Sequence, residues 1–325
     1  MSDFPDVRLH VVTGKGGTGK TTVAAALALA LARDRRRVLL LEVEGRQGIA
    51  QLFDVPPLTY AERRVAIGPG GGEVYAMAVD PEPALLDYLE IYNLKRAGRA
   101  LKRLGAIDFA TTIAPGMRDV LLTGKAKTAV IEKGRDGRPS WDAVVMDAPP
   151  TGRITRFLNV SAEVAGLAKV GPIRNQADGV MAVLRSPQTA VHLVTVLEEM
   201  PVQETIDGVG ELTSVDLPVG AVIVNMTRAP LLDAADLADA ANGQLDRGEL
   251  SQGLKIAGVE PTDAMVAALV SEAGEHARRV ALERRERTEL AELGRPTYEL
   301  PMLAEAVDLG CLYELAESLC RQGAA

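Results

Sequence analysis

The chain of 325 residues has few cysteines, few aromatic residues and no long hydrophobic run. Its two cysteines, Cys311 and Cys320, are too few for a disulfide framework and wrongly spaced for a structural zinc site, which favours a reducing compartment. Aromatic residues make up 3%, so the stacking platform of single-stranded nucleic-acid binders is not expected. The longest apolar run with helical character, residues 23–32, is about half the length that a bilayer crossing requires.

The charge balance and the first residues bear on location and partners. Lys and Arg number 36 against 44 Asp and Glu, which gives a formal net charge of −8. Such an acidic body repels a nucleic-acid backbone unless a local basic stripe overrides the mean. Residues 1–7 have neither the basic leader nor the apolar stretch of a signal peptide. We therefore expect a cytoplasmic protein with no nucleic-acid partner and no stable membrane insertion.

Apolar runs of strand length alternate with longer helical patterns, which is typical of β-α-β units and a mostly parallel sheet. We predict strands at residues 9–13, 38–43, 74–79, 143–147, 191–196, 219–225 and 297–300. Helices are predicted at residues 81–104, 116–131 and 261–293. Because several strands are apolar on both faces, helices should cover both sides of the sheet. The sequence thus predicts an α/β fold with a doubly wound, mostly parallel sheet.

A glycine-rich segment follows the first predicted strand and runs directly into an alanine-rich helical segment. It reads Gly14, Lys15, Gly16, Gly17, Thr18, Gly19, Lys20 and Thr21, followed by Thr22, and matches G-x-x-x-x-G-K-[ST] in the strand, loop, helix context that the motif requires. The glycines let successive backbone N–H groups converge on phosphate oxygens, and the helix N-terminus adds partial positive charge. Lys20 would hold the β and γ phosphates of ATP, and the Thr21 hydroxyl would bind Mg²⁺.

Lys15 departs from a generic phosphate loop, because it places a cation where a phosphate cradle needs only backbone groups. In this respect the chain resembles the deviant-Walker ATPases. These are P-loop NTPases of the signal-recognition and Min class, and they include the nitrogenase iron protein, the Min and Par ATPases, and the arsenite-pump and guided-entry ATPases. The resemblance implies that Lys15 reaches across a dimer interface to the nucleotide of the other subunit. At an effective dielectric of about 20, a lysine about 4 Å from a phosphate charge is attracted by about 4 kcal/mol before desolvation, which would couple nucleotide binding to dimer closure.

Two further segments resemble the arsenite-pump and guided-entry branch of that class. Residues 147–153, which read DAPPTGR, are similar to its D-T-A-P-T-G-H switch, which implies that Asp147 organises the Mg²⁺ shell and that Arg153 replaces the histidine. Residues 38–53 resemble its second strand and first switch. A count without gaps puts Glu44 where the family has an aspartate that orients the attacking water. Glutamate reaches farther by about 1.5 Å, and a misplacement of about 1 Å can lower a rate on the order of 100-fold. Alternatively, Asp147 caps a strand end and Glu44 is an exposed strand-end carboxylate.

The resemblance also implies an adenine site. Residues 221–225 resemble the strand whose terminal asparagine, here Asn225, recognises adenine in this branch. Residues 300–303 resemble its C-terminal P-L-L segment, so that Pro301 and Met302 would pack on the base. Asn225 taken alone is equally compatible with an ordinary turn at the end of a strand. The order of the two segments favours the adenine site.

Three features depart from this branch. The chain has no C-x-x-C pair for the zinc clamp of guided-entry dimers, and no cysteine trio for the metalloid site of the arsenite pump. A short helical insertion at about residues 158–190 stands where the guided-entry ATPase has a long methionine-rich insertion, so the groove for tail-anchored clients stays unassigned. We predict a single P-loop ATPase domain over residues 1–325.

These observations favour one function and leave an alternative open. The first is an ATP-dependent dimeric molecular switch that hydrolyses Mg-ATP to ADP and phosphate and binds an unidentified protein client. It would act as a homodimer or as a heterodimer with a paralogous ATPase. The alternative is a nucleotide-gated, weakly hydrolysing subunit paired with an active paralogue, because Glu44 and Arg153 differ from the family residues at their positions.

Two other functions of the wider class are disfavoured. Partitioning by a Par-type ATPase needs a basic DNA-facing surface, and the net charge of −8 argues against it despite the basic cluster at residues 33–37. A Min-type membrane switch would need a basic amphipathic tail. The C-terminal leucine stripe at residues 309–319 alternates with glutamates, and we predict that it packs in the core.

Overall fold

All seven apolar runs assigned to strands are strands in the computed structural model, which describes residues 2–91, 116–167, 172–303 and 307–325. The strands are β1 (Leu9–Gly14), β2 (Arg37–Glu42), β3 (Arg63–Ile67), β4 (Glu73–Ala78), β5 (Ala143–Asp147), β6 (Thr189–Thr195), β7 (Val219–Thr227) and β8 (Thr297–Pro301). β3 is not predicted by the apolar pattern of the sequence. This strand reads Arg-Arg-Val-Ala-Ile, and only Ala66 in it is buried, so it lacks the apolar run on which the other predictions depend.

The helices of the described residues are α1 (Lys20–Leu31), α2 (Gly48–Leu52), α3 (Pro81–Ile91), α4 (Met117–Ile131), α5 (Thr151–Leu167), α6 (Pro172–Leu184), α7 (Glu199–Ser214), α8 (Ala234–Asn242), α9 (Arg247–Ile256), α10 (Asp263–Ala291) and α11 (Leu309–Gln322). The predicted helices at 116–131 and 261–293 are confirmed to within two residues. The helix predicted at 81–104 begins at Pro81, and its part beyond residue 91 lies outside the described residues. Within the described ranges, no helix is long and apolar enough to span a bilayer.

The strands form one sheet in the order β3-β4-β2-β5-β1-β6-β7-β8. β3 pairs antiparallel with β4 at one edge, and every other neighbouring pair is parallel. β1 lies between β5 and β6, and Asp147 at the end of β5 is in register with Val12 of β1 and with Glu42 of β2. The predicted α/β fold with a doubly wound, mostly parallel sheet is confirmed, and the parallel arrangement places several strand ends at one edge.

Helices cover both faces of the sheet, as the apolar strands predict. Val38 and Leu40 of β2 point into one buried cluster, whereas Leu39 and Leu41 point into the other. In the first cluster α1 is buried from residue 23 to residue 31 and packs against α11. The second cluster contains residues of α4, α5, α6 and α7. The C-terminal leucine stripe of α11 is buried in the first cluster except for its first member, Leu309, which is exposed.

Two buried histidines join β1 to β6. The rings of His10 and His192 stack with centroids 5.3 Å apart, and Nδ1 of His10 lies 3.1 Å from Nε2 of His192. The backbone N–H of Ala221 on β7 donates a hydrogen bond to Nδ1 of His192 at 3.1 Å. In the neutral His192 ring, Nε2 therefore carries the hydrogen and donates a hydrogen bond to Nδ1 of His10. Burial lowers the pKa of His192 to about 4 and holds the pKa of His10 well below its usual range. The pair is neutral in the folded chain.

We expect acid to destabilise the fold through this pair. When folding lowers the pKa of a histidine, the unfolded chain binds the proton more readily than the folded chain. The free energy of unfolding is therefore highest above the unfolded pKa of about 6.5 and falls as the pH drops toward the folded pKa. For His192 the loss between pH 7 and pH 5 is about 2 kcal/mol. Groups elsewhere in the chain titrate equally in the wild type and in His192→Gln, so the test is the difference between the two proteins. Urea unfolding at the two pH values should show a change that is less destabilising, by about 2 kcal/mol, in His192→Gln than in the wild type.

A surface histidine supplies the control for this measurement. His276 lies half-exposed on α10, and His276→Gln should lose as much unfolding free energy between the two pH values as the wild type. Equal losses in the wild type and in both variants would contradict a role for the buried pair.

Candidate functional site

The phosphate loop begins where β1 ends, and neighbouring atoms leave no room for a side chain at two of its glycines. A Cβ added at Gly14 would overlap the carbonyl oxygen of Val194 on β6. At Gly19 the backbone is left-handed with a φ of 84°, and an added Cβ would overlap the side-chain amide of Asn225 on β7. The loop is therefore fixed between β1, β6 and β7, and residues 16–17 form its exposed tip.

Groups of the loop itself gather around the carbonyl oxygen of Lys15. The Thr18 hydroxyl donates to this oxygen at 2.9 Å, the Thr18 backbone N–H at 3.3 Å and the Lys20 amino group at 3.3 Å. Helix α1 then begins at Lys20 with Thr21 and a half-buried Thr22 in its first turn, and its N-cap residue Gly19 has no side chain. The first N–H groups of α1 therefore stay available to an anion such as a phosphate group.

A small cavity of about 40 Å³ lies beside the loop; we call it the phosphate-loop cavity. It is lined by Lys20, Thr21, Glu42, Glu44, Arg46, Gly48 and Asp147. Thr21 Oγ1 donates to Asp147 Oδ2 at 2.8 Å, which ties the start of α1 to the end of β5. Burial raises the pKa of Asp147 to about 6 and lowers the pKa of Lys20. A cation and a carboxylate thus face one another in a poorly hydrated space that is suited to charged ligands.

The oxygen donors of this cavity fit a magnesium ion. Mg²⁺ prefers oxygen ligands and usually keeps several waters and phosphate oxygens in its shell. Thr21 and Asp147 supply a hydroxyl and a carboxylate 2.8 Å apart. Among the described residues, no group of three or more His, Cys, Asp or Glu could hold a metal ion by itself. The arrangement therefore suits an ion that is held jointly by the protein, water and a bound nucleotide.

Glu44 lies in the phosphate-loop cavity and is paired with two arginines. Its carboxylate lies 3.4 Å from the guanidinium of Arg46 and 3.9 Å from that of Arg153. Arg153 also lies 3.9 Å from Asp119 on α4. Burial raises the pKa of Asp119, and the charge of Arg153 opposes that rise. Arg153 thus links the segment after β2 to α4, at the position where the branch has a histidine.

Lys15 is held by a residue that the sequence analysis does not identify. Its amino group lies 2.8 Å from Oε1 of Glu204 on α7. The other carboxylate oxygen of Glu204 accepts a hydrogen bond from the Thr151 hydroxyl at 3.2 Å. Thr151 begins α5 directly after the 147–150 turn, and the Pro149 carbonyl of that turn accepts a hydrogen bond from Thr13 at 2.6 Å. Glu204 therefore connects the phosphate loop to the segment at residues 147–153.

The residues assigned to adenine divide into two places. Asn225 is buried, and its Nδ2 donates to the carbonyl oxygen of Thr18 at 2.9 Å, so its amide group supports the phosphate loop. Pro301 and Met302 line a separate cavity of about 460 Å³ between the ends of β7 and β8 and helix α10. Nε of Arg228 lies 2.8 Å from the sulfur of Met302 at the same place. This cavity has the size of a small-molecule site.

The structure brings most of the predicted residues to one edge of the sheet. Lys20, Thr21, Glu44 and Asp147 line one cavity, and Asn225 touches the loop from β7. Sequence reasoning missed Glu204 and Arg46. The position of Arg46 inside the first switch is a signal that could have identified it, whereas nothing in the sequence around Glu204 indicates that α7 lies against Lys15.

Comparisons with known proteins identify the family of this chain. The family described as "Anion-transporting ATPase" matches residues 7–186. The "ATPase BagA" of Mycobacterium tuberculosis is 55% identical over 323 residues, which cover 99% of this chain and 95% of that protein. The "ATPase get3" of Schizosaccharomyces pombe is 26% identical over 66% of this chain and 71% of its own length, and that of Schizosaccharomyces japonicus is 27% identical over 52% and 51%. The predicted resemblance to the arsenite-pump and guided-entry branch is confirmed. This chain is an ATPase that belongs to the anion-transporting ATPase family.

Proposed function

We propose that the chain is a Mg-ATP-dependent dimeric switch, in which ATP hydrolysis is coupled to a change of conformation and to the binding of a protein client. The observation that carries this proposal is the environment of Lys15. Its amino group lies on Glu204, away from the phosphate-loop cavity, with the two side chains 30% and 37% exposed. A partly exposed ion pair of this kind contributes about 0 to 1 kcal/mol, so a phosphate group of a second subunit could replace Glu204.

In this proposal the loop and its neighbours bind the nucleotide. Lys20 and the N–H groups of the loop hold the β and γ phosphates. Thr21 and Asp147 would hold Mg²⁺, and the ion would neutralise phosphate charge when bound. Asn225, Pro301 and Met302 form the adenine side of the site. The support for this side is the 460 Å³ cavity between the ends of β7 and β8 and helix α10, which Pro301 and Met302 line.

Glu44 is proposed to orient the water that attacks the γ phosphate. The water oxygen forms a bond to the γ phosphorus, the bond from this phosphorus to the bridging oxygen breaks, and ADP leaves with that oxygen. The proton that the water loses passes to an oxygen of the phosphate product. Glu44 accepts a hydrogen bond from the attacking water, for which it must exchange part of its pairing with Arg46 and Arg153. Its place beside Lys20 and Thr21 in the phosphate-loop cavity supports this role.

The same ion pairs favour a second candidate function. If Arg46 and Arg153 hold Glu44 permanently, the chain binds nucleotide but hydrolyses it weakly, and an active paralogue would perform the turnover. The chain would then act as the nucleotide-gated member of a heterodimer. The choice between a homodimer and a heterodimer, the client, the cytoplasmic location and the absence of nucleic-acid and membrane partners stay predictions.

The first prediction concerns turnover. In Glu44→Gln the side chain keeps its size but loses its charge, so phosphate release should fall on the order of 100-fold, while the affinity for a non-hydrolysable ATP analogue changes little. Glu62→Gln, at an exposed position, is the matched control and should behave as the wild type. If the wild type releases phosphate no faster than Glu44→Gln, the switch with its own turnover is contradicted and the gated subunit is favoured.

The second prediction concerns association. Equilibrium sedimentation with Mg²⁺ and the non-hydrolysable analogue should show a tight dimer for the wild type and a much weaker one for Lys15→Ala, because the cation that bridges the subunits is gone. Glu204→Gln should tighten the dimer a few-fold, since an ion pair worth about 0.2 to 1 kcal/mol no longer competes for Lys15.

A second glutamate of α7 gives the control for this series. Glu211 accepts a hydrogen bond from Thr155, and Glu211→Gln removes a charge from the same helix without touching Lys15. It should leave the dimer dissociation constant unchanged. Equal constants for the wild type and Lys15→Ala would refute the role of Lys15 between subunits.

A further inference from the structure

Arg46 is a cation of the phosphate-loop cavity that the loop motif does not account for. It lines this cavity together with Lys20 and Thr21. Burial lowers the pKa of Lys20, and the nearby charge of Arg46 acts in the same direction, so the two cations are close enough to interact. In the structure the charge of Arg46 is compensated by its contact with Glu44, so Arg46 can serve a bound anion only by changing this partner.

Hydrogen bonds of the next residue fix the backbone position of Arg46 beside the cavity. The N–H of the next residue, Gln47, donates to the carboxylate of Glu42, and the Gln47 side chain makes two hydrogen bonds with the backbone of Leu58, at 2.7 and 3.1 Å. Gly45 and Gln47, on either side of Arg46, both have left-handed backbone conformations, with φ of 68° and 59°. The turn is thus pinned at Gln47, and the Arg46 side chain extends from it.

The side chain itself is free to change its partner. Arg46 is 76% exposed, and the contact it makes with Glu44 is a single approach of 3.4 Å. Because the Arg46 side chain is exposed to water, this contact is weak. Glu44 also retains Arg153 at 3.9 Å as a second cationic neighbour. Arg46 can therefore move away from Glu44 without leaving the Glu44 carboxylate unpaired.

Charge balance in the cavity requires such an exchange when a triphosphate binds. Three carboxylates, those of Glu42, Glu44 and Asp147, face Lys20 and Arg46. A γ phosphate that enters beside Glu44 would be repelled by the carboxylate of Glu44, because both groups are negative. Arginine presents a planar fork of N–H donors that matches phosphate oxygens, so Arg46 can bind the group that Glu44 repels.

We propose that Arg46 is a γ-phosphate-binding residue that the chain supplies to its own nucleotide. On ATP binding its guanidinium moves from Glu44 to the γ phosphate, stabilises the negative charge on the oxygens of this group during transfer, and leaves Glu44 to the attacking water. ADP lacks the γ phosphate, so Arg46 returns to Glu44 after hydrolysis. The inference rests on the nucleotide site and the role of Glu44 given under the proposed function, and it does not depend on dimer formation.

Nucleotide affinities test this inference directly. Calorimetric titration with Mg²⁺ should show that Arg46→Gln weakens binding of a non-hydrolysable ATP analogue by at least about tenfold while ADP binding changes less than about twofold, because only the analogue carries a γ group. Arg46→Lys keeps the charge but not the fork, and its analogue affinity should lie between those of the wild type and Arg46→Gln. Phosphate release by Arg46→Gln should fall by at least about tenfold.

Two further variants make the test specific. Arg138→Gln removes an exposed arginine of a surface turn and should leave both affinities unchanged. The titrations are repeated in a Lys15→Ala background, in which the cation proposed to act between subunits is absent, so a loss caused by Arg46→Gln there belongs to the chain's own site. This arm also separates a failure of the Arg46 inference from a failure of the dimeric switch.

The inference fails if Arg46→Gln, folded with the thermal midpoint of the wild type, keeps the wild-type ratio of analogue to ADP affinity. A fall in phosphate release with an unchanged ratio would also overturn it, because Arg46 would then only position Glu44. A misfolded Arg46→Gln would be recognised by lost ADP binding, and the ratio measured for Arg46→Lys would then decide in the same way.

Discussion

The convergence of parallel strand ends at one edge of the sheet is the constraint on which the rest of the site depends. Because β1 lies between β5 and β6, the loop that follows β1 must pass directly over the end of β5 and against the backbone of β6. The hydrogen bond of 2.8 Å from Thr21 to Asp147 is a direct consequence, since the two residues start one helix and end the adjacent strand. Gly14 is required for the same reason, because β6 leaves no room for a side chain.

Glu204 connects the phosphate loop to the start of α5 at this edge of the sheet. One carboxylate holds the amino group of Lys15 and the hydroxyl of Thr151, so the phosphate loop and the start of α5 share a partner on α7. The two contacts of Glu204 measure 2.8 Å to Lys15 and 3.2 Å to Thr151. Such a shared contact can pass a local event at the loop to the helices α5 and α7, which pack on each other.

The charged groups around Glu44 are the second constraint on the site. Charged groups of both signs crowd the small cavity beside the loop, and burial moves the pKa of Asp147 up and that of Lys20 down. The cavity is therefore arranged for a ligand that brings its own charges. Arg46 and Arg153 hold Glu44 from two sides, which means that chemistry at this carboxylate depends on how those pairs rearrange.

The sequence by itself determined the strands with apolar runs, the parallel character of the sheet and the position of the phosphate loop, because each of these follows from residue types that are close together in the chain. It failed at β3, whose pairing with β4 at the sheet edge comes from tertiary contact and not from an apolar pattern. Only the tertiary structure decided that Lys15 meets Glu204, that Asn225 supports the loop and that Glu44 lies between two arginines. These contacts join residues from different helices and strands, and their distances depend on how those elements pack, which local sequence patterns do not encode.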